Sequence, residues 1–250
     1  MLIGICVPSI NGHAASGFHV HPPVDEGRKH RISSDVNCLS ILGKQFGKYV
    51  YPVHRLDPPT SGVLLFAFDR EVAAFFGNLF RYHSIKKSYF CVARGWFAEE
   101  QFEVTTPVSG KDSLTRFETI FSKELPHAVG RYETARYSIV KAMPASGRRH
   151  QIRKHLSHIS HPIVGDTRYG DDDHNRFFRS KGITGLLLAA HSLEFDHPIT
   201  GEHLCIASKW SKSFLSAFDL LGACPWDLAS YLSTKAGDFS VNNEADTSSE

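Results

Sequence analysis

With 250 residues, 42% of them hydrophobic and 22% charged, the chain has a globular make-up and can bury a core without disulfide or metal staples. Collagen-like, disordered and miniature secreted classes are thereby excluded. Lys and Arg number 28 against 26 Asp and Glu, a formal charge of +2 that by itself demands no polyanionic partner.

The first residues, Met1–Val7, are apolar but lack a basic leader, and Pro8 to Gly12 break them too early for a secretion signal. Gly, Pro and His are frequent from Gly12 to Arg31, which reads as a loop or arm. Val36, Leu39, Ile41, Leu42 and Phe46 then share one helical face. Tyr49–Val53 is strand-like and runs into a polar, proline-stiffened loop, His54 to Gly62, followed by the apolar strand Val63–Phe68. That six-residue run is the longest uninterrupted apolar stretch, far short of the roughly 20 residues that cross a bilayer. No membrane span and a cytoplasmic location are expected.

Asp69 is placed to cap a helix in which Val72, Phe75, Phe76, Leu79 and Phe80 recur at three- and four-residue spacing, with Glu71, Asn78 and Arg81 facing away. Ser88–Gly95 reads as a central strand. From Glu99 to Gly130 the chain is irregular, with a strand-like stretch at Thr115–Phe121; Arg136–Met143 is a further strand. Arg149–Ile159 looks helical until His161-Pro162 stops it, and Gly165 to Asp173 reads as loop. Leu186–Ala190 is a short buried element, and Leu193–Phe195 with His203–Ala207 form a hairpin across Pro198 to Gly201. Strands outnumber helices without alternating with them, so the fold class is α+β, with a mixed, mostly antiparallel sheet and flanking helices. Residues 1–232 are expected to form one domain, and the polar segment 233–250, rich in Ser, Asn, Asp and Glu, a disordered acidic tail.

Five cysteines (Cys6, Cys38, Cys91, Cys205, Cys224) are odd in number and lack any C-x-x-C, which suggests reduced packing residues. The basic charge is unevenly spread. The segment from Lys235 onward holds four acids and one lysine, leaving 27 basic against 22 acidic residues elsewhere. Lys141, Arg148, Arg149, Arg153 and Lys154 cluster with His150, His155, His158 and His161 and no acid among them. Such a cluster either meets a phosphate backbone or is a solvated helix face. On a helix Arg149 and Arg153 would share one side and could grip an anion between them.

Two further patterns bear on chemistry. Pro58 biases Asp57 out of the helical region and fixes its carboxylate, either as a nucleophile or base or as a cap on its own turn through the Thr60-Ser61 backbone. His155, His158 and His161 have metal-like spacing, but no H-E-x-x-H and no acid completes a site. A G-x-S-x-G elbow and a P-loop are both missing, which disfavours serine acyl transfer and nucleotide hydrolysis.

His54-Arg55-Leu56-Asp57-Pro58-Pro59-Thr60-Ser61-Gly62 resembles the H-R-L-D-x-x-T-S-G motif of the RluA-type pseudouridine synthases. Gly147 to Leu156, continuing through His161 to Asp166, is similar to that family's G-R-x-H-Q-[IL]-R-x-H-L and H-P-[IL]-x-G-D, with Lys87-x-Tyr89 between the two. The likeness spans about residues 18–226. Arg131 to Tyr137, the stretch from Gly165 to Arg176 and His197 to Glu202 resemble the family's tRNA-modifying subgroup, as does the absence of a preceding S4-like domain.

The resemblance implies the pseudouridine synthase catalytic fold, tRNA as partner, and an isomerisation that needs no cofactor, no metal and no obligate protein partner. It implies Asp57 as nucleophile on C6 of a uracil or C1′ of its ribose. Tyr89 would stack on the flipped base and help remove the C5 proton, Arg153 would pair with Asp57, Arg55 would fill the gap in the RNA stack, and Leu188 would be an apolar wall. Arg148, Arg149 and Lys154 would meet phosphates. Two departures stand out. Residues 1–16 lack the family's Lys-Pro pair, so an altered or missing N-terminal strand is expected, and the family's L-L-L-H-A becomes Leu186 to His191 with the histidine two positions late. A ribosomal RNA synthase, a catalytically silent RNA-binding module and a histidine metal enzyme remain the alternatives.

Overall fold

The structure is a computed structural model; it describes residues 37–197 and 200–224 and, before them, only the backbone of three short strands within residues 2–14. The expected arm at Gly12–Arg31, apart from strand residues His13 and Ala14, lies outside the described residues, as do Pro198, Ile199 and the acidic tail.

The chain opens with β1 (Leu2–Val7), β2 (Ser9–Ile10) and β3 (His13–Ala14), then α1 (Cys38–Phe46), β4 (Tyr51–Pro52), β5 (Ser61–Ala67) and α2 (Arg70–Arg81). It continues through β6 (Lys86–Arg94), β7 (Gln101–Val104), β8 (Thr115–Leu125), β9 (Ala135–Pro144), α3 (Gln151–His158) and α4 (Asp172–Ser180). It ends in β10 (Leu188–Asp196), β11 (His203–Ala207) and α5 (Lys212–Leu221). Nine strands make one mixed sheet in the order β1-β5-β10-β6-β9-β8-β7, with β4 also on β5 and β11 also on β10. Every pairing is antiparallel except β10 on β5. The expected α+β class with a mostly antiparallel sheet and flanking helices is what forms.

Local chemistry explains the elements. Asp69 accepts hydrogen bonds from the Glu71 and Val72 N–H groups and so starts α2, as its position predicted. Strand β5 is buried from Gly62 onward because α1 covers Leu64 and Phe66 while α2 covers Val63 and Leu65. That two-sided burial is why its sequence is an unbroken apolar run. The central strands alternate instead. Phe90, Val92, Tyr137, Ile139 and Ala189 pack with α4 and α5, while Cys91, Ala93, Val140, Ala142 and Leu188 pack with α3.

Several expectations are corrected. Leu2–Val7 pairs along its whole length with β5, Leu2 opposite Ala67 and Val7 opposite Gly62, so the N-terminal strand forms without the Lys-Pro pair. Strand β7 and helices α4 and α5 were not foreseen, and Tyr49–Val53 shrinks to two strand residues. Helix α4 begins inside the expected loop because Asp171 caps it at the N–H groups of Asp173 and His174. Among the described residues Cys38 and Cys91 are buried free thiols and Cys224 is an exposed one. No helix of the described residues is long and apolar enough to cross a membrane.

Candidate active site

The polar loop between β4 and β5 is pinned from below. His54 Nε2 accepts the Leu65 N–H at 3.1 Å, and its ring stacks on Phe80 of α2 with centroids 4.4 Å apart. Burial, reinforced by the Lys87 charge, pushes this imidazole down to about 3, so it is a neutral acceptor that fastens the loop to sheet and helix. The turn closes through the Asp57 carbonyl, which accepts the Thr60 N–H at 2.8 Å. The main chain therefore makes the turn, and the Asp57 carboxylate points elsewhere. Gly62 completes the loop's seating: its φ is +118°, and a Cβ there would lie 2.0 Å from the Ala190 carbonyl oxygen. Only glycine lets β5 approach β10 this closely.

Above the turn lies a cavity of about 670 Å³, within the range of roughly 300–1,000 Å³ typical of small-ligand sites. Asp57, Arg55, Tyr89, Leu188, Lys87, Ser146 and the run from Gly147 to Arg153 line it, with Gly77, Phe80, Arg81 and His83 of the α2 end on the far rim. The β10–β6 pairing sets Leu188 opposite Cys91 and Ala190 opposite Tyr89, which brings the aliphatic and the aromatic side chain to the same cavity. Burial, and secondarily the Asp57 charge, push the Tyr89 phenol well above its ordinary value. At neutral pH it is a protonated ring, suited to stacking.

Arg153 is almost wholly buried and faces two carboxylates. Its Nε and one terminal nitrogen donate to Asp166 at 2.7 and 2.8 Å, and the other terminal nitrogen lies 3.5 Å from Asp57 Oδ2. Burial works to raise the Asp166 carboxyl, but Arg153 and the N–H groups of Tyr169 and Arg168 together hold it below the ordinary value. The expected Arg153–Asp57 pair thus exists as the looser half of a triad, and Asp166 is the residue that locks the guanidinium. His150 completes the surroundings, with Nε2 3.7 Å from Asp57 Oδ1 and Nδ1 2.9 Å from the Tyr169 hydroxyl.

The remaining expected residues divide. Arg55, Arg148 and Arg149 are exposed and line the cavity. Lys154 does not line it; its ammonium donates to Ser109 Oγ at 3.2 Å. The Arg149–Arg153 grip does not form, because the helix starts at Gln151 and Arg153 is sealed against Asp166 while Arg149 faces solvent. Gln151 is buried and brackets the turn before α3, bonding Ser146 Oγ, the Arg148 N–H, the Leu114 carbonyl and Thr115 Oγ1. His155 binds Ser113 and the Thr106 carbonyl, whereas His161 binds the Arg94 carbonyl, so the metal-like spacing resolves into separate structural contacts. His191 sits in the core, stacked on Trp210 at 4.3 Å and edge-on to Phe90; burial, then the Lys141 charge, push it down to about 4. Asp166 and Tyr169 carry no expected site role, although Asp166 ends the H-P-[IL]-x-G-D likeness and both stand within the Gly165 to Asp173 stretch.

Comparison with known proteins meets this geometry. A family model described as RNA pseudouridylate synthase matches residues 16–158. A protein of Yersinia pestis named tRNA pseudouridine synthase C is 40% identical over 219 residues, covering 78% of this chain and 85% of the relative. One of the same name from Haemophilus ducreyi is 35% identical over 200 residues, covering 74% of this chain and 82% of its own. The solved structure titled human RNA pseudouridylate synthase domain containing 1 superposes with a TM-score of 0.62 at 21% identity, covering 92% of this chain and all of that one, a likeness of fold. On these matches the chain belongs to the RNA pseudouridylate synthase family.

Proposed function

We propose that this protein isomerises a uridine in the T stem of tRNA to pseudouridine. The single observation that carries the reading is Asp57: a carboxylate on a rigid turn, opening into a cavity walled by Tyr89 and Leu188 and held by a guanidinium that is itself anchored elsewhere. The names of the relatives support tRNA as the substrate class.

In this mechanism the target nucleotide leaves the stack and its ring enters between Tyr89 and Leu188, since the reacting atoms are out of reach inside a helix. The Asp57 carboxylate forms a bond to C1′ as N1 departs, or to C6 before the glycosidic bond breaks. The detached ring turns, C5 bonds to C1′, the Asp57 oxygen is released, and the proton lost from C5 is balanced by one gained at N1. No oxidant or other reactant is consumed. Arg55, at the cavity mouth, fills the place of the extruded base, and Arg148 and Arg149 meet neighbouring phosphates. Lys154, turned toward Ser109, is left a peripheral contact at most.

Purified protein incubated with bulk tRNA carrying tritium at uridine C5 should release tritium, with pseudouridine mapping to one T-stem position. Release from ribosomal RNA but not tRNA would move the substrate; binding of tRNA without release would make the chain an RNA-binding module.

A further inference from the structure

The residue that opens α3 is unusual for its place. His150 is the N-cap of the helix, yet its side chain makes no capping bond and its backbone is left-handed, with φ 58°. Histidine pays a steric cost in that conformation that Gly or Asn would largely avoid. The conformation turns the ring into the cavity. There Nδ1 meets the Tyr169 hydroxyl at 2.9 Å, while Nε2 faces Asp57 Oδ1 at 3.7 Å, opposite the approach of Arg153 to Oδ2.

We propose that His150, steered by Tyr169, is the positioning residue for the nucleophile, aiming the Asp57 carboxylate while leaving its negative charge uncompensated. This rests on the pseudouridine synthase reading of the site. An imidazole nitrogen that faces a carboxylate must present its proton, so Nε2 carries the hydrogen and Nδ1 accepts from Tyr169. The tyrosine thereby selects the tautomer. Both carboxylate oxygens are then addressed, one by Arg153 and one by His150. Neither contact is a close ion pair, because Arg153 is committed to Asp166 and His150 is neutral. In this role His150 transfers no proton; the Asp57 electron pair makes the bond to the nucleoside.

The groups facing His150 are Asp57 on the turn, Arg149 beside it, Arg153 on α3, and Arg168 and Tyr169 on the following loop. Burial pushes the imidazole down, Asp57 pulls it back up, and the three arginines leave it below the ordinary 6.5. Protonation would set a full positive charge beside Asp57 and quench the nucleophile, so the rate should hold through neutral pH and fall on acidification below that ordinary value.

The test follows single-turnover tritium release from C5-labelled bulk tRNA between acid and neutral pH, with tRNA affinity measured alongside. Tyr169→Phe removes the hydrogen bond that favours the neutral ring, so the acid limb should move to higher pH. His150→Asn tolerates the left-handed backbone and keeps an N–H donor but cannot titrate. It should lose about tenfold in rate against about 100-fold for His150→Ala, with the acid limb displaced to lower pH and tRNA affinity unchanged. A merely structural His150 would lower stability in both variants and leave the acid limb where it was. An unmoved limb in Tyr169→Phe together with an unaltered profile in His150→Asn overturns the inference while the enzyme stands. Wild-type protein inert on every RNA overturns the reading of the site and the inference with it.

Discussion

Asp57 and Asp166 face the same guanidinium and are held by it in opposite ways. Asp166 takes two bonds of 2.7 and 2.8 Å from Arg153 and two more on Oδ1 from the Arg168 and Tyr169 N–H groups, and its side chain is 1% exposed. Asp57 stands 3.5 Å from Arg153 and 3.7 Å from His150, with 19% of its side chain open to the cavity. Among the described residues one carboxylate is saturated by close hydrogen bonds and the other is aimed by longer contacts. A group that must form a bond to substrate cannot already spend its lone pairs on the protein, so slack contacts mark the reacting group and tight ones its scaffold.

The sharpest way to break this contrast is to neutralise each carboxylate in turn. Asp57→Asn should abolish turnover, since a carboxamide fills the same space but cannot act as the nucleophile, while tRNA affinity and thermal stability stay close to wild type. Persisting tritium release in that variant would exclude Asp57 from the bond-forming step. Asp166→Asn should behave differently on both counts. It strips the paired charge from a buried guanidinium, a change that costs about 3–5 kcal/mol in comparable pairs, and urea denaturation would read the loss. It also frees Arg153 to close on Asp57, so turnover should fall along with stability. An Asp166 variant as stable as wild type would mean that the guanidinium is held by something other than this pair.

The pH dependence of that stability follows from the direction of the Asp166 shift. A carboxyl held below its ordinary value in the folded state contributes stability that is full above the unfolded value, about 3.9, and is lost as pH falls through the lower folded one. Acid unfolding of the wild type should therefore be steeper below about pH 4 than that of Asp166→Asn, which has no such group to protonate.

The same contrast explains what could be read from residues alone. Asp57 was legible because Asp-Pro and its flanking strands mark a fixed carboxylate, and the resemblance gave it a role. Strand β5 was legible because burial on both faces writes an apolar run. Asp166 was not, because what makes it matter is a guanidinium 13 positions away, reached only when the turn after α3 folds back. Tyr169 fails for the same reason: its partner His150 is a contact of tertiary origin. The metal-like spacing of His155, His158 and His161, which lacks an acid to complete a site, comes apart in the fold, where the first and last of them bind different carbonyls. Helix α5 went unread although its apolar face is regular: Phe214, Ala217, Phe218 and Leu221 are all buried in it, at the helical spacing that exposed α2.

The cations divide as the carboxylates do, and here the expected effect is smallest. Arg153 is sealed, and its loss would be a folding defect before it was a binding one. Arg148 is exposed on the cavity rim with one long bond, 3.4 Å, to the Asp112 carbonyl, which leaves its charge free to meet a phosphate. Lys154 lies six residues further on, within α3, but its ammonium is drawn to Ser109 and away from the cavity. If slack contacts mark the groups that work on substrate, Arg148→Ala should weaken tRNA binding and lower the slope of log affinity against log salt by about 0.7–0.9, one released counterion. Lys154→Ala should lower it by less than half as much. Titrating tRNA affinity across salt for the two variants separates them, and equal slopes would carry the RNA path over Ser109 and the start of β8, beyond the rim of the cavity.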